Sequence, residues 1–89
     1  MHLDHREALA AGPENAGYLL FSKYIEGIDK TYQRILSRSG DLKEAAHNLF
    51  AHLRELDSMP VAEIRAELVP MHGLGLAIND RLQRASVTT

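Results

Sequence analysis

Asp41-Leu42-Lys43-Glu44-Ala45-Ala46-His47-Asn48-Leu49-Phe50-Ala51-His52-Leu53-Arg54-Glu55-Leu56 is the stretch that settles the fold class. Its apolar residues, Leu42, Ala45, Ala46, Leu49, Phe50, Leu53 and Leu56, recur at three- and four-residue steps, the repeat of one helix face turned to a core. Asp41 and Glu44 have the spacing of a capping box. The Asp41 carboxylate is expected to accept a free backbone N–H while Glu44 reaches back to the cap residue. Full burial of Leu49, Phe50 or Leu53 would stabilise the fold by about 1.5–3 kcal/mol each, and Phe50→Ala would cost about 3–5 kcal/mol.

Outward from this helix, Ala62-Glu63-Ile64-Arg65-Ala66-Glu67-Leu68 alternates apolar and charged residues, which predicts a strand with one wet face near a sheet edge. Pro70 ends it. Leu74, Ile78, Leu82 and Ala85 then predict a last helix, with Arg81 and Arg84 near its negative end. On the N-terminal side, Tyr18-Leu19-Leu20-Phe21 is apolar on both faces and predicts a central strand. Thr31 to Ser37 predicts a second strand, but only about nine residues separate the two, fewer than a helical crossover needs. The sequence leaves their pairing open. Residues 3–11 predict a short helix with Leu3 and Leu9 on its apolar side, stopped by Gly12-Pro13.

The order reads α-β-β-α-β-α: a small, mainly parallel, three-stranded α/β sheet with flanking helices. The chain, 89 residues long, has room for one domain, divided into a helix and turn at 1–15, a core at 16–86 and a tail at 87–89. Such a chain buries only about 60–65% of its unfolded surface, so cover from a partner or from a second copy is expected. The Met59-Pro60-Val61 corner or a sheet edge would serve self-association.

Apolar residues form 45% and charged residues 25% of the chain, a composition that folds rather than stays disordered. Acidic and basic side chains are interspersed to a net charge of −2, which argues against direct nucleic-acid binding. With no cysteine, disulfides, thiolate zinc sites and cysteine nucleophiles are excluded. No apolar run reaches the roughly 18 residues of a membrane span, and Met1 to Arg6 is too charged for a signal-peptide core. A soluble cytoplasmic protein away from membranes is the expectation.

Two runs carry a family likeness. Gly40 to Phe50, continuing through Leu53-Arg54-Glu55-Leu56-Asp57, resembles the first signature of the C-terminal accessory domain of two-domain threonylcarbamoyl-AMP synthases. Gly73-Leu74-Gly75-Leu76-Ala77-Ile78-Asn79-Asp80-Arg81-Leu82-Gln83-Arg84-Ala85 is similar to that domain's closing motif. The likeness is good over 37–86 and loose over 16–36. It implies a Rossmann-like fold with fewer strands than usual, and a non-catalytic role supporting formation of threonylcarbamoyladenosine in tRNA. In that family a separate N-terminal domain makes threonylcarbamoyl-AMP from threonine, bicarbonate and ATP. The implied partner is that catalytic domain, in cis or in trans; no catalytic residue and no cofactor carries over.

The residues themselves suggest one alternative, a small anion- or nucleotide-binding module. His72-Gly73-Leu74-Gly75 joins a strand to a helix, so its N–H groups could face an anion, with Arg38 added from the loop 37–41. A third glycine or alanine of a dinucleotide fingerprint is missing, since Ile78 stands there. A structural turn is the stronger reading, and Asp41 already occupies the neighbouring helix start. His47 and His52 lie about 140° apart around a helix and make no zinc pair. His2 and His5 belong to a polar turn. Asn79, Asp80 and Arg81 point in different directions, and Asp80 with Arg84 has ion-pair spacing. Ser37 and Ser39 lack a recognisable triad, and Tyr18, Tyr24 and Tyr32 lack a basic stripe for base stacking.

Overall fold

The computed structural model describes residues 1–9 and 15–87. Ala10, Ala11, the Gly12-Pro13 breaker and the end of the tail at Thr88 and Thr89 lie outside the described residues. The elements are β1 (His2–Asp4), α1 (Arg6–Leu9), β2 (Ala16–Leu20), a 3-10 turn (Lys30–Tyr32), β3 (Gln33–Ile35), α2 (Leu42–Asp57), β4 (Glu63–Glu67) and α3 (Leu74–Val87). The strands form one parallel sheet in the order β1-β4-β2-β3. The α/β class read from the sequence is thus observed, with four strands rather than three among the described residues.

Period-two alternation in β2 divides the molecule into layers. Leu19 joins Ile64 and Ala66 of β4 beneath Leu49 and Leu56 of α2 and Ile78 and Leu82 of α3. Ala16, Tyr18 and Leu20 face the other way and meet Leu9 and Ile25. Helices α2 and α3 therefore cover one face of the sheet, while α1 and the loop leading to β3 cover the other. Gly17 lets α2 come close, because a Cβ there would stand 3.1 Å from Leu56 Cδ2.

Four local expectations change. The N-terminal segment begins as a strand, with Leu3 opposite Ala66, and only its second half, Arg6–Leu9, is helical. The open side of β4 offers backbone partners, and Asp4 O accepts from Leu68 N–H at 3.0 Å; such pairing outweighs helix propensity. For the same reason β4 is an interior strand rather than an edge. Its alternating charges are covered: Arg65, 8% exposed, donates to Leu9 O at 3.1 Å, Ala8 O at 3.2 Å and Glu63 Oε1 at 3.0 Å. A buried guanidinium that closes a helix's last carbonyls is satisfied on a dry face.

Strands β2 and β3, the latter at the sheet edge, pair in parallel, Leu19 opposite Arg34, across a connection that contains one 3-10 turn instead of a helix. Gln33, buried, holds that connection: its Oε1 accepts from Ile25 N–H at 2.7 Å and its Nε2 donates to Ile25 O and Ile28 O. The strand expected from Thr31 starts at Gln33, since Lys30–Tyr32 forms the turn.

Phe50 is not a core residue. It is 51% exposed, with the Arg81 guanidinium 4.8 Å from its ring centroid. The stripe on α2 turns inward at Ala45, Leu49 and Leu56, and Phe50 sits on its shoulder. The 3–5 kcal/mol expected for Phe50→Ala assumes full burial. A half-wet ring forfeits its cation contact, about 0.5–1 kcal/mol, and a fraction of its burial.

Candidate functional site

In a parallel sheet with cover on both faces, ligands settle outside the carboxyl ends of the strands, where successive connections leave to opposite sides. Here that rim is built by the loops 21–32, 36–41 and 68–73. Several of its polar groups are engaged with neighbouring elements. Glu67, at the end of β4, accepts from Phe21 N–H at 2.9 Å and lies 3.7 Å from Arg6 Nη1. Arg6 in turn donates to Lys23 O and Tyr24 O, which holds α1 to the loop after β2.

The start of α2 is fastened by a relay. Asp41 Oδ1 accepts from Lys43 N–H at 2.9 Å, as the cap predicts. Glu44 does not reach the cap residue itself. Its Oε1 accepts at 2.5 Å from the buried Ser37 hydroxyl, whose oxygen accepts from Asp41 N–H at 2.8 Å. One serine thus stands between the two halves of the capping box, and Ser39 Oγ is 3.3 Å from it. Ser37 and Ser39 are parts of a turn.

The start of α3 is fastened by Asn79. This side chain is 2% exposed; its Oδ1 accepts from Val69 N–H at 2.9 Å and its Nδ2 donates to Val69 O at 2.8 Å and to Met71 Sδ at 2.8 Å. The pair with Val69 reproduces a backbone ladder after β4 has ended. Asp80, its neighbour, pairs instead with Arg84 at 3.1 Å on the exposed side.

The segment His72-Gly73-Leu74-Gly75 turns through Gly73, at φ +54°. His72 N–H donates to Pro70 O, Gly75 N–H to His72 O and Leu76 N–H to Gly73 O. These three donors serve the turn. Gly75 is required by contact, since a Cβ there would fall 1.8 Å from Pro70 O and 3.5 Å from Leu42 Cδ2. The starts of α2 and α3 approach each other at Leu42 and Gly75. Arg38, however, lies over the Tyr24 ring at 5.1 Å, a ring it shares with Lys30 Nζ at 5.0 Å.

His47 is exposed and His52 turns toward Glu55, its Nδ1 3.6 Å from Glu55 Oε1. A hydrogen bond from Arg34 holds the Glu55 carboxyl below its ordinary range. Among the described residues no group of three or more His, Asp or Glu side chains could hold a metal ion, and no helix is long and apolar enough to cross a membrane.

The family model for the threonylcarbamoyl-AMP synthase C-terminal domain matches residues 3–87. The chain belongs to this family. No curated protein matches it. In this synthase C-terminal domain the two signature runs have distinct structural tasks: 40–57 is α2 with its cap, and 73–85 is the turn and helix clamped through Gly75 and Asn79 to Val69 and Pro70, just after β4. The relay through Ser37, the Tyr24 contacts and the Arg65 cap escaped the sequence reading. Asn79 left a signal there, an amide in the same helical stripe as Gly75 and Leu82.

Proposed function

We propose that the chain is a non-catalytic accessory domain that supports threonylcarbamoyl-AMP formation, and through it tRNA threonylcarbamoyladenosine, by acting on the synthase's catalytic domain in cis or in trans. The observation that carries this reading is the match to the synthase's C-terminal domain over residues 3–87. The rim agrees with it: Asn79, Ser37, Glu44 and Glu67, the polar residues best placed for chemistry, each tie a loop to a helix or strand. The cytoplasm, where the chain's lack of cysteine is at home, is the compartment this role calls for.

The test is to add the purified chain to the isolated catalytic domain of a two-domain threonylcarbamoyl-AMP synthase and follow binding and adenylate formation together. Binding in the micromolar range or tighter with a changed turnover is expected. A catalytic domain that neither binds the chain nor responds to it would contradict the accessory role. The same titration with AMP and phosphate addresses the anion-module reading, which requires shifts at the Gly73 and Gly75 amides.

A further inference from the structure

Among the exposed large apolar side chains of the described residues are Phe50 on α2 and Leu74 at the start of α3, each about half exposed. Leu74 and Arg81 are seven residues apart and share a face of α3. Since Arg81 covers the Phe50 ring at 4.8 Å, that face borders the seam between the two helices. Beside Phe50 the seam opens into a groove of about 280 Å³ lined by Leu49, Leu53, Leu82 and Ala85 with Arg81 and Arg84 at its border. It shares Leu53 and Ala85 with a second cleft of about 430 Å³ that runs to Met59 and Val61.

Charge around this seam departs from that of the chain, whose net value is −2. Lys43 and Arg54, seven residues before and four after Phe50, project within about 20–40° of it around the helix. Both are exposed, and neither they nor Arg81 forms an ion pair among the described residues. Asp57 is the carboxylate at the far end of the strip. An aromatic side chain at the centre, an apolar groove beside it and unpaired cations around it are the parts of a protein-recognition surface. Nucleic acid is the poorer fit, because neither helix carries a second Phe, Tyr or Trp for stacking.

We propose that the α2–α3 face docks a protein surface that presents an apolar side chain ringed by carboxylates. The identity of that partner, the synthase catalytic domain, rests on the accessory reading above; the location and chemistry of the face rest on Phe50, Leu74, Lys43, Arg54 and Arg81.

The experiment titrates the isotopically labelled chain with the catalytic domain, at low and at high salt, and repeats the titration with Phe50→Ser and Arg81→Glu. Shifts are expected at Lys43, Phe50, Arg54, Leu74 and Arg81, with affinity falling as salt rises. Each variant should melt within a few degrees of the parent and bind about tenfold or more weakly. Full affinity in both variants, or shifts confined to α1 or β3, would overturn this face while leaving the accessory role standing; no binding at all would remove both. A concentration-dependent dimer abolished by Phe50→Ser would assign the face to a second copy, and tRNA shifting the same amides would assign it to RNA. Either result overturns the proposal.

Discussion

Gly75→Ala is expected to lower stability by about 3 kcal/mol or more, the upper range for forcing one methyl group into a packed site. The added carbon would meet the Pro70 carbonyl oxygen at 1.8 Å, and that atom belongs to the backbone, so no side chain can swing aside. Relief requires moving Pro70, which also accepts from His72 N–H at 3.0 Å, or moving α3 off Leu42. For a domain of this size such a loss corresponds to a fall in Tm of about 12 °C or more. Gly73→Ala is the control. Gly73 has φ +54° and a methyl group added there would meet no atom within 4 Å, so its cost is the left-handed backbone alone, about 1–2 kcal/mol. Thermal melts showing Gly75→Ala equal to or milder than Gly73→Ala would contradict the close approach.

The second large effect concerns Asn79. Asn79→Ala removes the partners of both Val69 N–H and Val69 O, and each buried backbone group left without a partner costs about 1–3 kcal/mol. A total loss of about 2–6 kcal/mol follows, a large fraction of the roughly 5–15 kcal/mol that stabilises a typical domain. Asn79→Leu separates hydrogen bonding from size, because it restores bulk without restoring either bond. It should be nearly as unstable as the alanine variant, and the Val69 amide should lose most of its hydrogen-exchange protection in both. Recovery of stability in Asn79→Leu would reduce Asn79 to a space-filling residue.

These two positions show how the sequence communicates and where it stops. The periodicity of Leu42 to Leu56 and the alternation of Ala62 to Leu68 identify α2 and β4, because an amphipathic pattern reports which face is covered. Phe50 shows the limit of that signal. A residue on the shoulder of an apolar stripe has the same spacing as one at its centre, and only the position of α3 decides between them. Strand β1 was hidden for a related reason: three residues, His2–Asp4, pair with β4 through backbone groups that leave no side-chain pattern. The alternating charges of β4 suggested solvent because nothing local announces that Arg65 will find the last carbonyls of α1.

The rim was legible in part. Asp41 was identifiable as a cap from its place before an apolar run, and it does accept from Lys43 N–H. That Glu44 would act through Ser37 depends on the return of β3 to α2, a tertiary fact. The glycines of His72-Gly73-Leu74-Gly75 invited an anion, yet Gly75 answers to the Pro70 carbonyl. Glycine permits close approach to a ligand and to the chain's own backbone alike, and sequence does not distinguish the two.

In the proposed role this domain assists adenylate formation without performing it. The most direct measurement is ATP consumption by the purified chain alone in the presence of threonine and bicarbonate, with adenylate product followed in parallel. No turnover above the protein-free blank is expected; ATP-dependent formation of threonylcarbamoyl-AMP by the chain by itself would make it a catalyst and end the accessory role.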